Sequence, residues 1–140
     1  MLRRRPFGGV MSLVNKSLLS HTQVIHCEER FSIIKVYNYI LINVYLPCAG
    51  LANRQTLCDD LLADIWSWRI RYHDCECLIA ADLNTDLDSS DAVALSLTRF
   101  INDCSLVRCD DLFPSQKVDT YVNFSLNQRS RIDYTCFLRP

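Results

Sequence analysis

Two short runs hold the residues of this chain that could do chemistry. Leu78-Ile79-Ala80-Ala81-Asp82-Leu83-Asn84-Thr85-Asp86 is an apolar stretch that ends in an acid, an amide and a second acid. Ser130-Arg131-Ile132-Asp133-Tyr134 sets a lone carboxylate between apolar neighbours. An acid and an amide delivered by a buried strand to a loop suit hydrolysis of a phosphate ester, in which water must be oriented and developing charge stabilised. Period-two alternation puts Asp82 and Asn84 on one side if the strand stays extended that far. An ionised Asp82 accepts a proton from water or holds it in line. The Asn84 amide offers a donor and an acceptor to a phosphate oxygen and a neighbouring side chain. On spacing alone a plainer alternative is favoured, a loop in which both side chains bond the loop's own backbone.

Two further residues join them. Tyr45 ends a strand-like run two residues before Pro47, and its hydroxyl could bond a phosphate oxygen from there; an ordinary half-buried strand tyrosine with a wet tip is the simpler reading. Asp133, between Ile132 and Tyr134, is costly to bury without a partner. That partner is either Arg131 or Arg129 in a structural pair, or a histidine held in one tautomer. His21, His26 and His73 all precede Asp133 and read as surface or strand residues. Asp82, Asn84 and Asp86 also occupy the first, third and fifth places of a calcium loop, but Leu87 stands where glycine is needed and Val93 where glutamate is needed, which excludes that reading. His73-Asp74-Cys75-Glu76-Cys77 lacks a Cys-x-x-Cys pair and alternates across a strand, which argues against structural zinc.

The elements that must position these residues follow from periodicity. β-Branched and aromatic content predicts strands over 9–14, 22–27, 31–37 and 39–46, with Asn38 as a turn residue and Pro47 and Gly50 as the stop. Leu57, Leu61, Ile65 and Trp68 recur at steps of three and four, widened by Cys58, Leu62 and Trp66, and predict a helix over 52–72. A continuous apolar strand over 77–81 fits burial on both faces. Ser89, Ser90 or Asp91 caps a second helix whose apolar face is Val93, Leu97, Phe100, Ile101 and Cys104. An extended segment over 106–109 and strands over 121–124 and 131–138 complete the order. That order predicts helices packed outside a two-sheet core, an α/β layered sandwich in a single domain.

Composition bounds the function. Hydrophobic residues make up 49% and charged residues 22%, a globular balance, and no apolar stretch approaches a membrane span. Pro6, Gly8, Gly9 and Asn15-Lys16-Ser17 interrupt the segment after the basic start Met1-Leu2-Arg3-Arg4-Arg5, which excludes a secretory signal. Cys27, Cys77, Cys104 and Cys136 sit in apolar segments, so the eight cysteines are expected to be reduced, in an intracellular protein that is not secreted. A net charge of −1 carries no footprint of a nucleic-acid binder, although a local basic groove matters more than the total.

Asn43-Val44-Tyr45-Leu46-Pro47, Ala81-Asp82-Leu83-Asn84 and Ser130-Arg131-Ile132-Asp133-Tyr134 occur in that order and at suitable distances, and together they resemble the endonuclease/exonuclease/phosphatase family. Pro6-Phe7-Gly8-Gly9-Val10, the run ending at Cys48, and Leu106-Val107-Arg108-Cys109-Asp110-Asp111-Leu112-Phe113 point the resemblance toward the apurinic-type endonuclease domain of non-LTR retrotransposons. It covers nearly the whole chain. The resemblance implies a four-layer α/β sandwich of the DNase I-like type, here a partial one, with residues 1–140 as a single incomplete domain. It implies hydrolysis of phosphodiesters in DNA with magnesium, and a nuclear location is in keeping with that substrate. Asp82 matches the family Asp that orients or deprotonates water, Asn84 the Asn that holds phosphate, Tyr45 the tyrosine on the scissile phosphate, and Asp133 the Asp that orients a catalytic histidine. Ala81 replaces the usual Gly and Leu83 the usual Phe. The family's metal-binding Glu precedes the Gly-Gly-Val segment and its histidine follows the Ile-Asp-Tyr strand in a Ser-Asp-His run. This chain matches neither, so its metal ligands stay unassigned and the chain alone is expected to turn over little or not at all. The competing expectation is a catalytically inactive relic or a weak nucleic-acid or protein interaction module. Open sheet edges would favour self-association.

Overall fold

Phe31–Val36 (β2) and Tyr39–Tyr45 (β3) pair antiparallel through a tight turn of Tyr37 and the expected Asn38, in which Tyr37 takes the left-handed conformation with φ 53°. Thr22–Cys27 (β1) adds to β2 on the outside. From β3 the chain crosses through Arg54–Arg71 (α1) to Glu76–Asp82 (β4), which pairs parallel with β3. Such a crossover is what a parallel pair requires. Ala92–Asp103 (α2), Leu106–Arg108 (β5) and the single turn Cys109–Leu112 (α3) follow. Tyr121–Asn123 (β6) and Gln128–Ser130 (β7) form a separate ribbon, and Asp133–Leu138 (β8) returns to pair with both β4 and β5. The main sheet therefore runs β1-β2-β3-β4-β8-β5. This computed structural model describes residues 9–113 and 118–138; the basic run Met1–Arg5 and Pro6–Gly8 lie outside them.

One face of the sheet makes the core. Ile40, Ile42 and Val44 of β3 stand in register with Cys77, Ile79 and Ala81 of β4, and the latter two with Cys136 and Tyr134 of β8. Cys58, Leu61, Leu62 and Ile65 of α1 and Val93 and Leu97 of α2 are buried helical residues of that cluster. Asp91 caps α2, its carboxylate accepting from the Ala94 N–H at 2.9 Å. The expected helix face needs two corrections. Trp66 is exposed, and Trp68 is only partly buried, at the rim, where its ring lies 5.1 Å from that of His26.

All eight cysteines are free. Burial pushes the Cys77 thiol up to about 11 and those of Cys104 and Cys136 up to about 12, which makes them inert packing groups at neutral pH. Cys27, at the end of the outer strand, is exposed instead. No helix among the described residues is long and apolar enough to cross a membrane.

The predicted first strand is not one. Residues 9–14 pair with no strand and run over the other face of the sheet, where the Met11 carbonyl accepts from Asn43 Nδ2 at 3.0 Å and the hydroxyls of Ser12 and Ser32 lie 3.3 Å apart. A 3₁₀ turn over Lys16–His21, capped by Asn15, then leads into β1. The sheet edges carry two devices that weaken pairing with another chain: β1 is irregular between Val24 and His26, and β5 has only three residues. Ile65 is 1% exposed, so Ile65→Ala should cost about 3 kcal/mol of stability, whereas Leu95→Ala, on the wet side of α2, should stay within about 0.5 kcal/mol; urea unfolding followed by circular dichroism measures both.

Candidate active site

Register places the site. On the face opposite the core, Tyr45 of β3 is the cross-strand partner of Asp82 of β4, and Asp82 is the partner of Asp133 of β8. Three side chains predicted from three separate runs thus stand side by side on three adjacent strands. They line one open groove of about 630 Å³, together with Gly9 and Met11 from the segment lying over the sheet and Asp110 from α3. The strand ends are tied beyond the ladder: the Leu46 N–H donates to the Asp82 carbonyl at 2.9 Å, and the Leu83 N–H to the Ile132 carbonyl at 2.7 Å.

Asp82 is partly buried, and burial pushes its carboxyl above the ordinary value. The Asn84 N–H, donating to Asp82 Oδ1 at 3.0 Å, pulls the other way, and the like charge of Asp133 adds to the upward push. Asn84 itself is not in the groove wall. The strand ends at Asp82, Asn84 turns left-handed with φ 48°, and its Nδ2 donates to the Leu46 carbonyl at 2.8 Å. Asp82 therefore bonds its own loop's backbone, as the plainer reading had it, while also facing the groove, whereas the Asn84 side chain bonds the loop after β3 instead.

Asp133 is exposed, not wedged among apolar neighbours, because Ile132 precedes the strand and Tyr134 points into the core. Arg131 is not its partner. Arg131 Nη2 donates to Asp88 Oδ2 at 2.8 Å, Nε lies 3.1 Å from Asp110 Oδ2 as an ion pair, and the guanidinium sits 5.2 Å from the centre of the Tyr134 ring. Arg108 binds the other oxygen of Asp88 at 3.1 Å and takes Asp111 with two hydrogen bonds of 2.8 Å. Tyr134 closes this network, its hydroxyl donating to the Arg131 carbonyl at 2.9 Å and accepting from the Leu87 N–H at 3.0 Å. The loop after β4 is thereby fastened to the entry of β8. Sequence reasoning missed Asp88, Asp110 and Tyr134 in this role; the one available signal was an arginine beside a strand with several acids elsewhere. The three histidines lie away from the groove: His21 stacks on Tyr37, His26 leans on Phe31 and Trp68, and His73 pairs with Asp74.

This fold is of the DNase I-like class, a mixed α/β arrangement with a six-stranded sheet. The particular solved structures that share it include the endonuclease domain of TRAS1, a telomere-specific non-LTR retrotransposon, with a TM-score of 0.64 at 13% identity over 84% of this chain and 56% of that one. They also include the human Nocturnin catalytic domain with bound sulfate anion, with a TM-score of 0.57 at 11% identity over 86% of this chain and 50% of that one. The chain thus spans about half the length of each. No family model matches the sequence, and no curated protein does.

Two outcomes test the electrostatics. With its carboxyl raised in the fold, Asp82 adds stability only while protonated, an advantage present below the unfolded value of 3.8 and lost as pH rises through the folded value. Asp82→Asn should therefore raise the urea midpoint at about pH 7, and the gain should vanish toward about pH 3. Arg131→Ala should cost about 2 kcal/mol by the same assay, from lost packing and the lost ion pair to Asp110, since Asp88 keeps Arg108, while Arg129→Ala on the exposed ribbon should stay within about 0.5 kcal/mol.

Proposed function

We propose that this groove is a phosphodiester-hydrolysing site of nuclease type, acting on DNA. The observation that supports it is the in-register row Tyr45, Asp82, Asp133 on one groove wall. In this reading Asp82 orients the attacking water and takes its proton. A carboxyl raised by burial makes a stronger base once ionised, so activity should rise with pH through its titration. The Tyr45 hydroxyl donates to a phosphate oxygen, and Arg30, whose guanidinium lies 5.8 Å from the Tyr45 ring centre, adds positive charge beside an anionic substrate. Asp133, exposed at the groove, is free to orient an imidazole that the described histidines do not supply.

Magnesium, the cofactor implied by the resemblance, would act as a Lewis acid on the phosphate. Among the described residues no three carboxylate, imidazole or thiolate groups are gathered to hold it. The described residues do not make a metal site by themselves. One observation favours the competing reading, a binding module without turnover: the Asn84 amide, assigned to phosphate, is bonded to the Leu46 carbonyl instead.

Plasmid nicking with magnesium separates the two. In a domain extended to the full length of the structural neighbours, Asp82→Ala should slow nicking on the order of a hundredfold, the size expected for losing general-base assistance. This chain alone is expected to nick no faster than its Asp82→Ala variant. Equal nicking by the extended domain with and without Asp82 would overturn the hydrolytic reading, and DNA retention without nicking would support the binding module.

A further inference from the structure

Arg54 is placed where a helix should not want it. It opens α1, at the positive end of the helix dipole, with no acidic residue in the first turn and no side-chain cap from Asn53. A cation there is unfavourable by a few tenths of a kcal/mol or more, so helix formation does not explain this residue. Its hydrogen bonds do. Nε donates to the Pro47 carbonyl at 2.9 Å, and Nη2 donates to the Asn84 carbonyl at 2.8 Å and to the hydroxyl of the buried Thr85.

Pro47 follows Tyr45 by two residues, and Asn84 follows Asp82 by two. One planar guanidinium therefore spans the two loops that leave the paired strand ends carrying Tyr45 and Asp82. A fork of fixed geometry can hold two carbonyls at a set separation, which a lysine ammonium cannot. The chain of contacts then reaches the acid itself. The peptide whose carbonyl Arg54 holds belongs to Asn84, the left-handed residue whose N–H meets Asp82 Oδ1 at 3.0 Å and whose amide meets Leu46.

We propose that Arg54 is the positioning residue of the groove: it fixes the Asn84 turn between the Tyr45 and Asp82 strand ends, and through the Asn84 N–H it sets where the Asp82 carboxylate points. Its importance for hydrolysis rests on the function proposed above, whereas the positioning itself does not.

The test is a carbon-detected NMR titration of the Asp82 side-chain carboxyl in this chain, wild type against Arg54→Met and Arg54→Lys. The groups that face Asp82 from the neighbouring elements, Tyr45 on β3, Asp133 on β8 and Asp110 on α3, are unchanged in these variants. Loss of the fork should free the Asn84 turn and so weaken the bond from the Asn84 N–H to the charged acid. The Asp82 titration should then shift upward and the Asn84 amide resonance move. Arg54→Lys, which keeps the charge but not the fork, should shift Asp82 in the same direction. A folded Arg54→Met with an unshifted Asp82 and an unmoved Asn84 amide overturns the proposal. If Arg54→Met does not fold, Arg54→Lys decides alone, and wild-type behaviour there overturns it too. Failure of the hydrolytic reading would instead show as nicking that ignores Asp82, with the titration shift intact.

Discussion

The pairing register of β4 is the constraint on which everything else depends. Its seven residues are fixed on one side by β3 in parallel, and the last five of them, Leu78 to Asp82, on the other by β8 antiparallel. A slip of a single residue would turn Asp82 from the groove to the core and bring Ile79 out to water. The core face supplies the restoring force, because Ile42, Ile79 and Cys136 lie in one row beneath Leu62 and Ile65 and are each nearly removed from solvent. Hydrophobic burial on one face thus sets the positions of polar groups on the other.

Charge is handled unequally around that row. Asp88, Asp110 and Asp111 are all engaged by Arg108 and Arg131, which ties α3, the loop after β4 and the entry to β8 into one ionic knot. Asp82 and Asp133 stand outside the knot. Asp82 keeps a single backbone donor, and Asp133 is left to solvent. Arg108 and Arg131 therefore hold the frame, and of the three carboxylates lining the groove, Asp110 is paired with Arg131 whereas Asp82 and Asp133 have no cationic partner among the described residues.

Tyr45, Asp82 and Asp133 were legible in the sequence because each sits at a strand end, and period two holds up to the last paired residue. Asn84 was legible in type but not in place, since period two fails once the backbone turns left-handed. The partners of Arg131 were hidden for a different reason: Asp88 lies 43 residues upstream, and no local pattern reports such a pairing. Residues 9–14 misled because β-branched content marks a chain that can be extended, not one that has found an edge. Cys27 misled likewise, an apolar type on an outer strand with no cover. The α/β class itself came through, since the order of strand and helix periods is a property of the whole chain and tolerates local errors.

The same sheet order has a consequence in time. β4 acquires its first partner only after α1 has been threaded across, and its second only when β8, the last of the described strands, is available. Pairings so distant along the chain form slowly, because loop closure must precede any gain from contact. On a ribosome the outer hairpin can settle early, whereas the row of groove side chains is completed only once β8 has emerged. A nascent chain stopped before β8 would display the apolar flank of β4 to whatever chaperone or neighbour reached it first.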